Sequence, residues 1–553
     1  MKLRRVDSIA HPMTAKVIVC IAIALAAVSA FGEGPVLAHA GLESSTPAAS
    51  SVLEESPPVI SLNFDEDIDV PLTSIELFDS NGTSIPLGTP AQGADASIVE
   101  SSVPELADGT YAVVWRVNSA DGHVVTGAFS FQIGTEGGVD AGDLLDSVLN
   151  GARADPVVGR GLGVARFTSF LGASLLLGGL FMVLILGPDV DTRWPTRRLL
   201  WIGWALVVLG SLANFGLLGA NAKAGSLADV TDTSLWRDIA DTRTGGLLLV
   251  RVGMMIAMIA VLVMIDRRAT TGWRTLMPLL AVLTVFTFSG AGHPSVEANA
   301  AIWIGLDALH FGFVALWMGA LAMLVLGGRA WLRDERYESA VRTFSRVVTV
   351  GVLIVVVTGV VQAWKIGGGL DNLTETTWGR ILLAKGAIAV LIVTIGGASR
   401  WLLQHDGPRH LGRTVATETL MGVVVLGLAA ALVGVAPTNG PQSQLYSASL
   451  TEAGVIVDVS ITPGAVGSNE VHVIVTPPGG NLQPVTSVTA RMSLPSRDIP
   501  ETPVNLVAES PNHYTGNITL AFSGDWTLDI VVSPEPNQTV LLTDTVPIPD
   551  RNG

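Results

Sequence analysis

The sequence predicts a multi-domain membrane protein: an all-β sandwich, then a bundle of eight transmembrane helices, then a second all-β sandwich. Three observations predict it. Of 553 residues, 49% are apolar and only 14% charged, too apolar for a water-soluble chain of this length. Long apolar runs recur between residues 161 and 436. On either side of them, apolar and polar residues alternate at the period of a half-buried strand.

Residues 1–38 read as a signal peptide, with Lys2, Arg4, Arg5 and Lys16 flanking an apolar stretch from Val17 to Ala30. Val36 and Ala38 are the small residues at −3 and −1 of a cut that makes His39 the new N-terminus. A competing cut after Ala40 would discard that histidine. Cys20 is the sole cysteine and lies inside this segment, so a processed chain has neither disulfides nor cysteine metal sites.

Residues 39–135 form the first β domain. "VISLNF" (59–64), "TSIELF" (73–78), "TYAVVWRV" (110–117) and "GAFSFQI" (127–133) are its clearest strands, and "SNGT" (80–83) is a hairpin turn. Arg116 is the only basic side chain between His39 and Asn150, against 18 Asp and Glu. That balance raises the local concentration of cations. With a net charge of −16 for the whole chain, it excludes a nucleic-acid partner, which calls for a basic face.

A Gly/Asp-rich linker (136–160) leads to a transmembrane domain at 161–436, with spans at 163–187, 199–220, 245–265, 276–292, 302–327, 347–364, 379–398 and 415–435. The connections after spans 1, 3, 5 and 7 are Arg-rich ("RWPTRR", "DRRATTGWR", "GGRAWLRDERYESAVR", "SRWLLQHDGPRHLGR"), and those between are acidic or nearly neutral. The Arg-rich loops therefore face the cytoplasm, and both β domains lie outside the cell. Residues 441–553 are the second β domain, with strands "GVIVDVSIT", "EVHVIVT", "YTGNITL" and "WTLDIVVS". Its His472 and His513 have no evident partner in the sequence.

The first domain holds two histidines, His39 and His123, the latter in "NSADGHVVTGAFSF". In an extended backbone Asp121 and His123, two apart, point to one side. An N-terminal histidine supplies its α-amine and ring nitrogen to one metal, and the amine titrates low enough to deprotonate at neutral pH. Three nitrogens and one oxygen without sulfur suit tetragonal Cu(II) or Ni(II). Taken alone, "DGH" is a common turn.

In the spans, Asp307, His310 and Val314 share a helix face, with Asp307 and His310 roughly 8–12 Å below the outer surface. His293 ends span 4 on that side, and Arg251 and Lys385 lie at similar depth. Ionisable groups in a bilayer line pathways or pair with one another. Arg251 and Lys385 are thus structural or gating charges, set against Asp307 or carbonyls. Met254 and Met258 share a face whose thioethers suit Cu(I), although methionine is also routine packing in such helices. His405 and His410 sit in a solvated Arg-rich loop, and no nucleotide-binding motif is present.

"HAGLESSTPAASSVLEESPPVISLNFDEDID" and "DGTYAVVWRVNSADGHVVTGAFSFQIG" resemble the CopC family of periplasmic copper-binding proteins, including the S-x-D-G-H-x-x-x-G-x-x-x-F signature at Ser119, Asp121, Gly122, His123, Gly127 and Phe131. The resemblance implies an Ig-like or cupredoxin-like sandwich whose Cu(II) ligands are His39 (amine and ring), Asp121 and His123. Many members add a Met-rich Cu(I) site, but here no methionine lies between Met13 and Met182. "LDALHFGFVALWMGAL" (306–321), "FSRVVTVGVLIVVVTGVVQAW" (344–364) and "WGRILLAKGAIAVLIVTIGGASR" (378–400) resemble CopD, the membrane partner of CopC. The whole layout is similar to CopC–CopD fusions of the YcnJ type, and the last domain to their YtkA-like modules.

The resemblance implies a bacterial plasma-membrane protein of copper homeostasis with copper ions and the lipid bilayer as partners, and with copper chaperones as further ones. The leading expectation is capture of Cu(II) outside and passage of copper inward, the direction resting on the resemblance alone. The alternative is extracytoplasmic sequestration, with the helices as an anchor. An enzyme of the histidine-brace type is set aside, because the carboxylate fills the position oxygen needs and the domain is poor in aromatics.

Overall fold

The computed structural model describes residues 42–47, 51–64, 66–119, 122, 124–134, 155–186, 194–267, 272–297, 299–333, 335–367, 372–405, 412–435, 446–462, 464, 466–478, 484–497 and 499–548. The signal segment, His39, Asp121, His123, His410 and most of the 136–160 linker lie outside them.

The first β region has nine strands: β1 (Leu42–Thr46), β2 (Val52–Leu53), β3 (Val59–Phe64), β4 (Ser74–Phe78), β5 (Ser84–Ile85), β6 (Ala91–Gln92), β7 (Ile98–Ser102), β8 (Gly109–Asn118) and β9 (Val124–Ile133). They form sheets of order β1-β3-β7-β6 and β2-β9-β8-β4-β5. Alternation places Ile60, Leu62 and Phe64 of β3 inside, where Phe64 meets the Trp115 ring edge-on at 5.1 Å. The expected "SNGT" turn joins β4 to β5. Asp79 accepts from the amides of Asn81 (2.9 Å) and Thr83 (2.8 Å), and Gly82 takes φ +74°.

Among the described residues ten α-helices follow: α1 (Pro156–Leu186), α2 (Trp194–Ala222), α3 (Thr233–Ala240), α4 (Arg243–Asp266), α5 (Gly272–Ser289), α6 (Ala300–Arg333), α7 (Glu335–Gly367), α8 (Asn372–Glu375), α9 (Thr377–His405) and α10 (Gly412–Leu432). Eight are long and apolar enough to cross a membrane. Helix α1 starts earlier than the span at 163, because Asp155 accepts from the Val157 amide (2.8 Å) and Pro156 occupies the first turn. The Arg-rich segment after span 5 is mostly helical rather than loop, since α6 runs to Arg333 and α7 begins at Glu335.

Helix α1 is central, and small residues allow its close contacts. A Cβ at Gly172 would lie 2.6 Å from the Val207 amide of α2, and one at Gly203 2.7 Å from the Leu176 amide of α1. On the other side, a Cβ at Gly319 of α6 would run into the Ser174 carbonyl.

The second β region comprises β10 (Tyr446–Glu452), β11 (Val455–Thr462), β12 (Gly467–Thr476), β13 (Ser487–Leu494), β14 (Ile499–Val504), β15 (Val507–Ser510), β16 (His513–Leu520), β17 (Gly524–Ser533) and β18 (Val540–Ile548). Its sheets run β10-β11-β12-β16-β15 and β14-β13-β17-β18. Val457, Val471, Val473, Leu528 and Ile530 are among the buried residues of its core. His472 and His513, without evident partners in the sequence, meet across this fold: Nδ1 of His472 lies 3.4 Å from Nε2 of His513.

Candidate metal centre

The segment from Ser119 to His123 joins the two longest strands of the first sandwich. Strands β8 and β9 pair from Gly109↔Ile133 to Asn118↔Val124. Asn118 and Ser119 at its root are fully buried. The Asn118 carbonyl accepts from the Asp69 amide (2.8 Å), and its side-chain amide donates to the Asp69 carboxylate (3.0 Å). Gly122 donates to the Ser119 carbonyl at 2.8 Å with φ +88°. That left-handed conformation favours glycine. Asp121 and His123, on either side of Gly122, lie outside the described residues.

Gly122 sits on the helical bundle. A Cβ at Gly122 would lie 3.1 Å from the Thr244 hydroxyl oxygen in the first turn of α4. Leu72 joins buried Val158, Leu162, Leu218 and Ile239 of α1 to α3 in one apolar cluster, with Val124 packed against it. Arg116, the lone cation of the sandwich, is buried at 8% exposure. Its Nε donates to the Ala222 carbonyl (2.9 Å) and its Nη2 to the Asn221 carbonyl (2.5 Å), both at the C-terminal end of α2. Helix C-termini leave carbonyls unsatisfied and attract positive charge. Burial pushes the Arg116 guanidinium down to about 10, still charged at neutral pH. In return, Lys223 Nζ donates to the Thr73 carbonyl (3.2 Å). The only basic side chain of an acidic domain is thus spent on docking.

Beneath this face lie the ionisable residues of α6 and α9. Asp307 and His310, seven and ten residues after Ala300, lie roughly 10 and 15 Å along α6. Asp307 lies near Ser289 of α5 and within electrostatic range of the Lys385 ammonium of α9, which also acts on His310. His310 Nδ1 is 3.0 Å from Thr358 Oγ1 of α7. The Thr358 hydroxyl donates to the Ile354 carbonyl (2.7 Å), so this network assigns the Nδ1 proton to His310 as donor. Nε2 then keeps its lone pair, the form in which imidazole binds metals. Gly359 makes room for the ring, since a Cβ there would lie 3.0 Å from His310 Cε1.

The two cations of the spans, Arg251 and Lys385, have different settings. Arg251 donates to the Thr287 carbonyl (2.7 Å) and hydroxyl (3.0 Å) and stacks 3.5 Å above Phe288. Phe288 contacts Phe311 at 4.8 Å, next to His310. Met258 is fully buried in the helical core, with Met254 partly buried against it. His293 lies in a short turn (His293–Ser295) that packs on α6. Arg243 donates to the Ser295 carbonyl (2.9 Å), and Lys365 pairs with Glu297 (2.9 Å). Among the described residues, no three His, Cys, Asp or Glu side chains converge as a metal site.

A CopC domain model matches residues 42–134. A model of the N-terminal domain of copper resistance protein D-like proteins matches 158–299, and a Copper resistance protein D model matches 338–432. Copper transport protein CutJ of Bacillus subtilis is 25% identical over 475 residues, covering 83% of this chain and 86% of CutJ. Copper resistance protein C of Escherichia coli is 34% identical over 105 residues, covering 18% of this chain and 82% of its own length. Among solved structures, CopC from Methylosinus trichosporium OB3b is 30% identical and covers 18% of this chain and 99% of its own, with a TM-score of 0.17.

The chain belongs to the CopC–CopD fusion family. This family is one of copper transport and resistance. In this CopC–CopD fusion the signature residues outside the expected ligand set have packing roles. Gly127 lies opposite Trp115, whose ring a Cβ would strike, and Phe131 stacks on Tyr111 at 5.5 Å.

Thr358 and Gly359, which shape the His310 pocket, escape sequence reading because nothing in an apolar run marks a neighbour on another helix. Glu418 is a further buried carboxylate, and its place inside span 8 is itself a sequence signal. It is 3% exposed and accepts from the Ser399 hydroxyl at 2.7 Å. With Arg400, Thr349 and Trp317 it lines a cavity of about 180 Å³. Because successive spans alternate in direction, Glu418 near the start of α10 lies at the end of the bundle away from the CopC-like sandwich.

Proposed function

We propose that the CopC-like sandwich captures Cu(II) outside the cell with the His39 amine and ring, Asp121 and His123, and that copper then enters the helical bundle past His293 to Asp307 and His310 and moves inward. The observation that carries this reading is the seat of Gly122, between two of the proposed ligands, against Thr244 at the head of α4. A capture site on a tethered but undocked domain would need no such contact. The lone pair assigned to His310 Nε2 and the carboxylate of Asp307 supply an imidazole and an oxygen donor below that seat. Arg251, held by Thr287, is a structural cation. Lys385, within electrostatic range of Asp307, balances that carboxylate when no metal is present. Met254 and Met258 are proposed as a thioether path for Cu(I) deeper in the bundle. Both sandwiches are proposed to lie outside the plasma membrane.

The deciding experiment compares cytoplasmic and surface-bound copper, at limiting external copper, in cells lacking the protein, expressing it, or expressing His123→Ala or His310→Ala. The expected result is a rise in cytoplasmic copper with the intact protein that both substitutions abolish. A rise confined to the surface fraction, unaffected by His310→Ala, would mark a tethered copper store instead.

A second expectation concerns His39. One residue added ahead of it removes the amine from the chelate and is expected to weaken Cu(II) binding by at least a hundredfold in a competition titration. Equal affinity of the two forms would remove the amine from the ligand set.

A further inference from the structure

The second sandwich buries two histidines on the sheet face turned away from its core. Val471 and Val473 of β12 point into the core and are fully buried, so His472 between them points outward, yet it is only 3% exposed. Register pairs His472 with Thr515 and Ile474 with His513, which makes the histidines diagonal neighbours on one face. His513, the first residue of β16, is 6% exposed. The rings stack with centroids 5.6 Å apart and planes at 25°, and His472 Nδ1 lies 3.4 Å from His513 Nε2.

That separation is long for a nitrogen–nitrogen hydrogen bond, for which about 3.0 Å is usual. It fits two nitrogens on one ion, since bonds of about 2.0 Å would meet at roughly 115°. The other nitrogen of His472 is buried without a hydrogen bond and faces Glu470 Oε1 at 3.5 Å. A carboxylate behind the far nitrogen of a histidine sets its tautomer and orients its lone pair, as at many metal sites.

We propose that His472 and His513 form a second copper site in the C-terminal sandwich, one that takes Cu(I), with Glu470 as the positioning residue for His472. Cu(I) is satisfied by two or three donors, whereas Cu(II) and Zn(II) take four, and among the described residues no group of three His, Cys, Asp or Glu forms here. The choice of copper rests on the copper reading above. The nitrogen pair does not, and its test does not use transport.

The test titrates the full-length protein in detergent with Cu(I), anaerobically and against a chromophoric Cu(I) chelator. The parent is compared with the double variant His472→Asn/His513→Gln and with Glu470→Gln. The expected result is one Cu(I) fewer per chain in the double variant, and that same equivalent bound roughly tenfold more weakly in Glu470→Gln. Glu470 is half exposed, so its variant decides the matter if the double variant fails to fold. Unchanged stoichiometry in a folded double variant, unchanged affinity in Glu470→Gln, or an equivalent filled by Zn(II) and not by Cu(I) would each overturn the proposal.

Discussion

Asp307→Asn is expected to destabilise the helical bundle by roughly 2 kcal/mol, because it removes the carboxylate whose field favours the charged Lys385 ammonium, at the effective dielectric of about 20 usual for such pairs. Thermal unfolding in detergent should show a clear drop in melting temperature and a smaller yield of folded protein. The double variant Asp307→Asn/Lys385→Met removes both charges and is expected to recover most of that stability. It should nevertheless leave cytoplasmic copper at the level of cells without the protein, because the oxygen donor beside His310 is gone. An Asp307→Asn protein that melts with the parent would show that Lys385 does not depend on this carboxylate. A stable double variant that still raises cytoplasmic copper would reduce the pair to architecture and leave His310 to act without it.

Arg116→Ala is expected to release the first sandwich from the bundle while leaving its fold and Cu(II) affinity intact. The substitution strands the Ala222 carbonyl and leaves that of Asn221 with only the Ala224 amide (3.3 Å), where both now accept from the guanidinium, at about 1.5–3 kcal/mol for a charge-assisted hydrogen bond. Hydrogen exchange should rise at the end of α2 and around the Val70–Leu72 turn, the two surfaces that Arg116 and Lys223 hold together. Cytoplasmic copper should fall about tenfold, since the ion would then have to leave a mobile domain before reaching the helices. Arg116→Lys keeps the charge without the forked donors and should give an intermediate effect. Undiminished copper entry with the sandwich undocked would mean that capture and passage are uncoupled.

Much of this protein was legible in the sequence because the signals are local and periodic. An eighteen-residue apolar run can satisfy its backbone in lipid only as a helix, and "VISLNF" buries every second side chain whichever strand pairs with it. Spacing and residue type likewise marked Asp307, His310, Arg251 and Lys385 as costly in a bilayer. Which cation answers which group was not legible. Arg251 and Lys385 read alike at similar depths, yet one is held by the Thr287 carbonyl and the other lies within electrostatic range of Asp307.

The sequence by itself determined the order of the three regions and the number of long apolar helices, and it marked the candidate residues for copper. Tertiary structure alone decided that Arg116 is a docking pin, that the turn at Gly122 rests on α4, that Thr358 orients His310, and that His472 meets His513. The physical reason is the same in each case. These contacts join elements far apart in the chain, and hydrogen bonds and desolvation depend on distances of a few ångströms that no local pattern encodes. Arg116 and Asn221 stand 105 positions apart and His472 and His513 stand 41 apart, and only the packing of whole sheets and helices brings them together.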